Sequence, residues 1–143
     1  MSNTAENIQL LLADILSFHE DLEKVFAMEK GIHDHGLLES AVHAPFQTFG
    51  GEDLYPDVYS KAARLCFGLA KDHPFRDGNK RTAVHAALVY LTINSIKLHY
   101  QDIEMERAII DVAAGNMTSD ELAYWFRQHT DHQNKTIPSY LSL

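Results

Sequence analysis

Apolar residues recur along most of this chain at intervals of three and four, the spacing of one face of an α-helix. The first run covers residues 5–27, with Ile8, Leu11, Leu12, Ile15, Leu22 and Val25 on one side, and predicts an amphipathic helix. Glu29-Lys30-Gly31 stops it, and His33-Asp34-His35-Gly36 reads as a polar connector. Leu37, Leu38, Ala41 and Val42 then predict a short helix that ends before Pro45. Residues 57–72 carry Val58, Ala62, Leu65, Cys66 and Leu69 at helical spacing. Residues 79–93 differ in being apolar on opposite sides: Val84, Ala87, Leu88 and Leu91 form one stripe, and Ala83, Ala86, Tyr90 and Ile93 the other. Such a helix is enclosed by neighbours rather than laid on a surface. Asn94-Ser95 closes it. Asp102 is expected to cap a further helix with Ile103, Ile110 and Ala113 facing inward, ended by Gly115-Asn116. Thr118-Ser119-Asp120-Glu121 has the form of a capping box and opens a last helix that buries Leu122, Trp125 and Phe126. One stretch breaks the pattern. Residues 45–56, PFQTFGGEDLYP, show a glycine pair, two prolines and three aromatics without helical period, and predict a loop or small hairpin. The fold class expected is all-α, a compact bundle of six or seven helices around a central buried helix.

Length changes this picture little: 143 residues make one domain, placed at 1–132, with a loosely attached tail at 133–143. Charge excludes more. A net charge of -8 argues against direct nucleic-acid binding and suits a basic partner segment better. The single cysteine, Cys66, excludes an intrachain disulfide and shares an apolar stripe, so it reads as a core residue rather than a nucleophile. No apolar run approaches the roughly 20 residues that span a bilayer, and no basic leader precedes the first apolar positions. A cytoplasmic protein with no membrane contact is expected. The pairs His33/His35 and His129/His132 lack a third ligand at a convincing spacing and read as polar loop residues.

The chemistry is concentrated between the third and fourth predicted helices, in HPFRDGNKR at residues 73–81. Gly78-Asn79 breaks the preceding pattern and Asn79 is a preferred N-cap, which places Lys80 and Arg81 in the first turn. Cations are disfavoured at a helix N-terminus unless an anion sits there. Phosphate is the natural occupant, because backbone N–H groups and a preceding glycine offer a close cradle. Asp77 beside a polyphosphate is a plausible Mg²⁺ ligand, and His73 is the local group able to move a proton near neutral pH. The bland alternative is a helix end at His-Pro-Phe, an ordinary Asp-Gly-Asn turn and a solvated Lys-Arg pair.

The same string closely resembles the signature of the Fic/Doc family, H-x-F-x-[D/E]-G-N-G-R-x-x-R. His73, Phe75, Asp77, Gly78, Asn79 and Arg81 match; Lys80 replaces a Gly and Val84 replaces the second Arg. That combination resembles the death-on-curing (Doc) branch, small toxins paired with an antitoxin, and the resemblance runs roughly over residues 8–130. It implies a kinase that uses ATP and Mg²⁺. His73 is then the general base for a target Ser or Thr hydroxyl, Phe75 a loop anchor and Asp77 the metal ligand. Gly78, Asn79, Lys80 and Arg81 bind the nucleotide phosphates. A target-positioning flap falls at 46–54 by the same resemblance, with Phe46, Gln47, Thr48, Phe49, Gly50 and Gly51 in it. The implied partners are a protein of the translation machinery such as elongation factor Tu, and an antitoxin supplied in trans. The family's inhibitory pattern, [S/T]-x-x-x-E-[G/N], is not expected within this chain. Three alternatives stand beside the kinase: transfer of AMP as in Fic proteins, a metal-dependent phosphohydrolase built on the histidines, and an idle protein that only engages its antitoxin.

Overall fold

A computed structural model describes residues 9–131, and the predicted tail at 133–143 lies outside them. The six α-helices there are α1 (Leu12–Val25), α2 (His35–His43), α3 (Val58–Lys71), α4 (Asn79–Ile93), α5 (Asp102–Ala114) and α6 (Ser119–Gln128). A 3₁₀ turn (Ala44–Phe46) follows α2 and leads into a hairpin of β1 (Thr48–Phe49) and β2 (Glu52–Asp53). The all-α bundle with a small hairpin is therefore present.

Local chemistry sets most helix starts. Asp34 Oδ1 accepts from the Leu37 N–H at 2.9 Å, Asp57 Oδ1 from the Ser60 N–H at 2.7 Å, and Thr118 Oγ1 from the Glu121 N–H at 3.1 Å, each satisfying a first-turn donor. Asp34 and His35 thus begin α2 where a connector was expected. Helix α5 is capped one residue earlier than predicted, at Gln101, whose N–H donates to Glu104 Oε1 at 2.8 Å.

Helix α3 is the hub, packed against α2, α4, α5 and α6. Its buried residues are mostly small, which lets neighbours approach. A Cβ added at Gly68 would stand 3.0 Å from the Ala41 Cβ and 3.2 Å from its Cα, so α2 and α3 meet with no room for a side chain. Helix α4 lies between α1, α3 and α5 and buries Ala83, Ala86, Ala87, Tyr90 and Leu91. It is less enclosed than its sequence suggests, since Lys80, Arg81, His85 and Thr92 remain exposed.

Two predicted faces are corrected. In α1, Ile15 and His19 are buried and Leu12, Leu16 and Phe18 pack on the core, but Leu11 is 60% and Val25 74% exposed. Both stand at the helix ends, Leu11 as the N-cap and Val25 as the last helical residue. In α5, Ile103 and Ile110 are about half exposed, while Met105, Ala108, Ile109 and Val112 are buried. This helix carries two apolar stripes, and the one with the smaller Ala108 and Val112 faces α3.

Candidate active site

The segment between α3 and α4 starts from strain. His73 has φ 51°, in the left-handed region that non-glycine residues seldom adopt, and its side chain is exposed. The turn at His73 drives Pro74 and Phe75 into the protein, where Phe75 is 2% exposed. Burial of a ring this size stabilises by about 2–3 kcal/mol, which offsets strain of the size that one left-handed residue carries. The chain leaves the core again at Arg76 and Asp77, and Gly78 turns it into α4 at φ 75°.

Asn79 closes the loop rather than capping α4. Gly78 occupies the N-cap position, Asn79 is the first helical residue, and its amide clamps Phe75 from both sides: Oδ1 accepts from the Phe75 N–H at 2.9 Å and Nδ2 donates to the Phe75 carbonyl at 3.0 Å. The predicted cap role is corrected because an exposed cap side chain would have left both buried Phe75 backbone groups unpaired. The Asn79 side chain thus shapes the loop, with its Oδ1 and Nδ2 both held by the Phe75 backbone.

Support also comes from the segment after α1. The Arg76 N–H donates to the Gly31 carbonyl at 3.1 Å, and the Pro74 carbonyl accepts from the His33 and Asp34 N–H groups at 2.8 and 3.0 Å. Asp77 uses both carboxylate oxygens: Oδ1 accepts from the Gly78 N–H at 2.8 Å and Oδ2 from the Glu29 N–H at 3.2 Å. Each oxygen keeps a second lone pair, and the side chain is exposed, so a single carboxylate contact to Mg²⁺ fits.

His19, which sequence reasoning passed over, lies under this loop. Its Nε2 donates to the Asp77 carbonyl at 2.8 Å, since a carbonyl can only accept, and its Nδ1 is 3.4 Å from Glu23 Oε2. Glu23 in turn accepts from the Gly31 N–H at 2.7 Å. The available signal was a histidine interrupting the apolar stripe of α1 four residues after Ile15.

The N-terminus of α4 differs from those of α2, α3 and α6: no side chain accepts from its first-turn N–H groups. Its positive end carries two further cations. Lys80 is exposed, and the Arg81 guanidinium rests 4.0 Å over the Phe26 ring. Gly78 suits its φ of 75°, and a Cβ there would fall 2.6 Å from the flexible Met28 Cε, which would have to shift. An anion placed at such an end would be stabilised by the unpaired N–H groups and the two cations.

The hairpin rises beside the loop. Gln47 at its foot and Asp72, the residue before His73, line one polar cavity of about 480 Å³ together with His43 and Arg64. Gly50 and Gly51 both have positive φ, as a two-residue type I′ connection requires, and Thr48 pairs with Asp53 and Phe49 with Glu52. Phe49 at the tip is 80% exposed. Phe46 is set apart from the other predicted flap residues: it lies in the 3₁₀ turn with its ring 6.1 Å from that of Tyr90, as an anchor.

The remaining candidates stay outside the site. Among the described residues no group of three or more His, Cys, Asp or Glu is placed to hold a metal ion, so the phosphohydrolase has no centre there. His129 stacks on Trp125 at 3.8 Å, and His132 lies outside the described residues. Burial pushes the Cys66 thiol up to about 12, consistent with a packing role. No helix among the described residues is long and apolar enough to cross a membrane.

The model of the Fic/DOC family matches residues 9–91, which hold the loop, its α1 supports and the hairpin. The chain belongs to the Fic/DOC family. It is 41% identical over 101 residues to a Mycolicibacterium smegmatis protein named Toxin Doc, across 68% of this chain and 77% of that one. It is 23% identical over 115 residues to a protein of Escherichia phage P1 named Protein kinase doc, across 80% and 90% of the two chains.

Proposed function

We propose that this Fic/DOC protein is a Doc-like toxin that moves the γ-phosphate of ATP to a Ser or Thr hydroxyl of a target protein. The observation that carries the reading is the α4 N-terminus, left without a side-chain cap and bearing Lys80 and Arg81, directly after a loop that presents His73 to solvent. In this reading the terminal phosphates sit on the first-turn N–H groups of α4, with Lys80 and Arg81 offsetting their charge. His73 takes the proton of the incoming hydroxyl as its oxygen bonds to phosphorus, and the bond from phosphorus to the ADP oxygen breaks. A Mg²⁺ held by Asp77 would neutralise charge on the phosphates. The exposed edge of the hairpin aligns the target segment.

Lys80 selects the γ- over the α-phosphate in this reading, because its side chain fills space that a glycine leaves open to a further phosphate. Val84 adds no second guanidinium. The names of the two relatives support a toxin and a kinase, and elongation factor Tu is the target that the family resemblance suggests. An antitoxin chain supplies the restraint. Residues 2–7, SNTAEN, do carry the letters of the family's inhibitory pattern, contrary to expectation, but lie outside the described residues. Purified protein is incubated with elongation factor Tu and ATP labelled at either the α- or the γ-phosphate. Transfer of γ-label alone is expected; transfer of α-label would replace the kinase with an AMP transferase.

A further inference from the structure

The hairpin is small and all four of its strand residues are exposed, so its own pairing is too weak to fix its direction. Phe46 against Tyr90 and Arg64 over the Tyr55 ring hold the ground on either side of it, and one side chain reaches a strand residue itself. Lys61 on α3 is 6% exposed, and its Nζ donates to Asp53 Oδ2 at 3.0 Å and to the Tyr55 carbonyl. Asp53 and Tyr55 flank Leu54, whose own N–H donates to the Gln47 carbonyl at 3.0 Å. One ammonium group thus grips both sides of the residue that closes the hairpin's foot. The attachment is costly by itself, because a buried lysine loses hydration that a half-exposed carboxylate, 49% accessible, returns only in part. An apolar side chain would fill the same space without that cost but could not hold Asp53 or the Tyr55 carbonyl.

The other end of the arrangement is equally fixed. From Lys61, helix α3 continues to Lys71 and delivers Asp72 and then His73, and its N-terminus is held by Asp57, which Arg127 of α6 grips at 2.8 Å. Gln47 of the hairpin foot lines the same cavity as Asp72. The strand edge and the proton acceptor are therefore mounted on one rigid helix.

We infer that Lys61 is a positioning residue for the protein substrate: it sets the hairpin on α3 so that a target segment on the β1 edge meets His73 in register. The inference rests on the kinase reading. It predicts an arm that is already ordered before the target arrives, so that binding is not charged with the entropy of ordering it.

The test compares the unaltered protein with Lys61→Met, which keeps the length of the side chain, with Asp53→Asn, whose exposed site tolerates change, and with the double variant. Backbone hydrogen exchange is read over residues 47–55, and KM and kcat are measured with elongation factor Tu and ATP. Lys61→Met is expected to speed exchange in the hairpin and leave α3 and α4 protected. KM for the protein substrate should rise about tenfold while kcat changes less than about twofold. Asp53→Asn should do the same to a smaller extent and add nothing in the double variant. If the unaltered protein transfers no phosphate, the kinase reading falls and this role falls with it. Unchanged hairpin exchange or unchanged KM in Lys61→Met, with transfer intact, overturns the Lys61 inference alone.

Discussion

The imidazole of His19 lies flat on the ring of Phe75, with centroids 3.8 Å apart and planes 6° from parallel. One buried side chain of α1 therefore sits beneath the loop anchor and also bonds the Asp77 carbonyl, so it sets the height of the whole loop.

His19→Ala should destabilise the protein by about 2–4 kcal/mol, through the cavity it leaves and the carbonyl it unpairs. His19→Phe keeps the stack and should lose about 1–3 kcal/mol from the carbonyl alone. Urea unfolding of the two variants measures both. The expected sign of a positioning role is that His19→Phe, although folded, transfers phosphate more slowly than its stability explains.

At His73 strain and chemistry are separable. His73→Ala should lower kcat by about 10²- to 10⁴-fold with the fold intact, because the side chain is exposed and the proposed proton acceptor is lost. His73→Gly should be equally inactive yet up to about 1 kcal/mol more stable than His73→Ala, since φ 51° suits glycine. Thermal unfolding with matched rate assays reads out both. Equal rates for His73→Ala and the unaltered protein would remove the proposed base.

Asp77→Asn tests the metal and Lys80→Gly the direction of the nucleotide. The amide should weaken Mg²⁺-dependent nucleotide binding, and an unchanged dependence on Mg²⁺ in titrations would assign Asp77 to the turn alone. Lys80→Gly should abolish γ-label transfer, with the fold unaffected because the residue is exposed.

The α3 start gives a pH dependence. Burial pushes the Asp57 carboxyl up, but the hydrogen bonds from the Ser60 backbone and the Arg127 side chain outweigh it and hold the group below its ordinary value of 3.8. A carboxyl lowered by folding stabilises fully above that ordinary value and loses its contribution as pH falls through the lowered one. Asp57→Ala should cost about 1 kcal/mol at pH 7 through the lost cap. The gap between its unfolding free energy and that of the unaltered protein should narrow as the pH falls below 3.8.

What the sequence made legible was local. The Thr118 capping box, the Gly50-Gly51 turn and the 73–81 string each act within a few residues, so their chemistry is written side by side. The misplaced features depend on distant partners. Ile103 and Ile110 have the right spacing for a buried face, yet α3 takes the neighbouring stripe. Asn79 looks like a cap until Phe75 is placed beside it. His19 and Lys61 are polar residues whose burial makes sense only once Asp77 and Asp53, 58 and 8 residues away, have been brought to them.

The contacts of the loop with Glu29, Gly31, His33 and Asp34 have a consequence for how the motif can be moved. A gene fragment that starts at Gly36 would encode every residue of HPFRDGNKR, together with α3 and α4, and would still lack the carbonyl under Arg76, the N–H groups on Pro74 and the imidazole under Phe75. The nine letters are therefore not a portable cassette. Grafted into another helical hairpin, they would bring the uncapped helix end but not the floor that holds His73 above it.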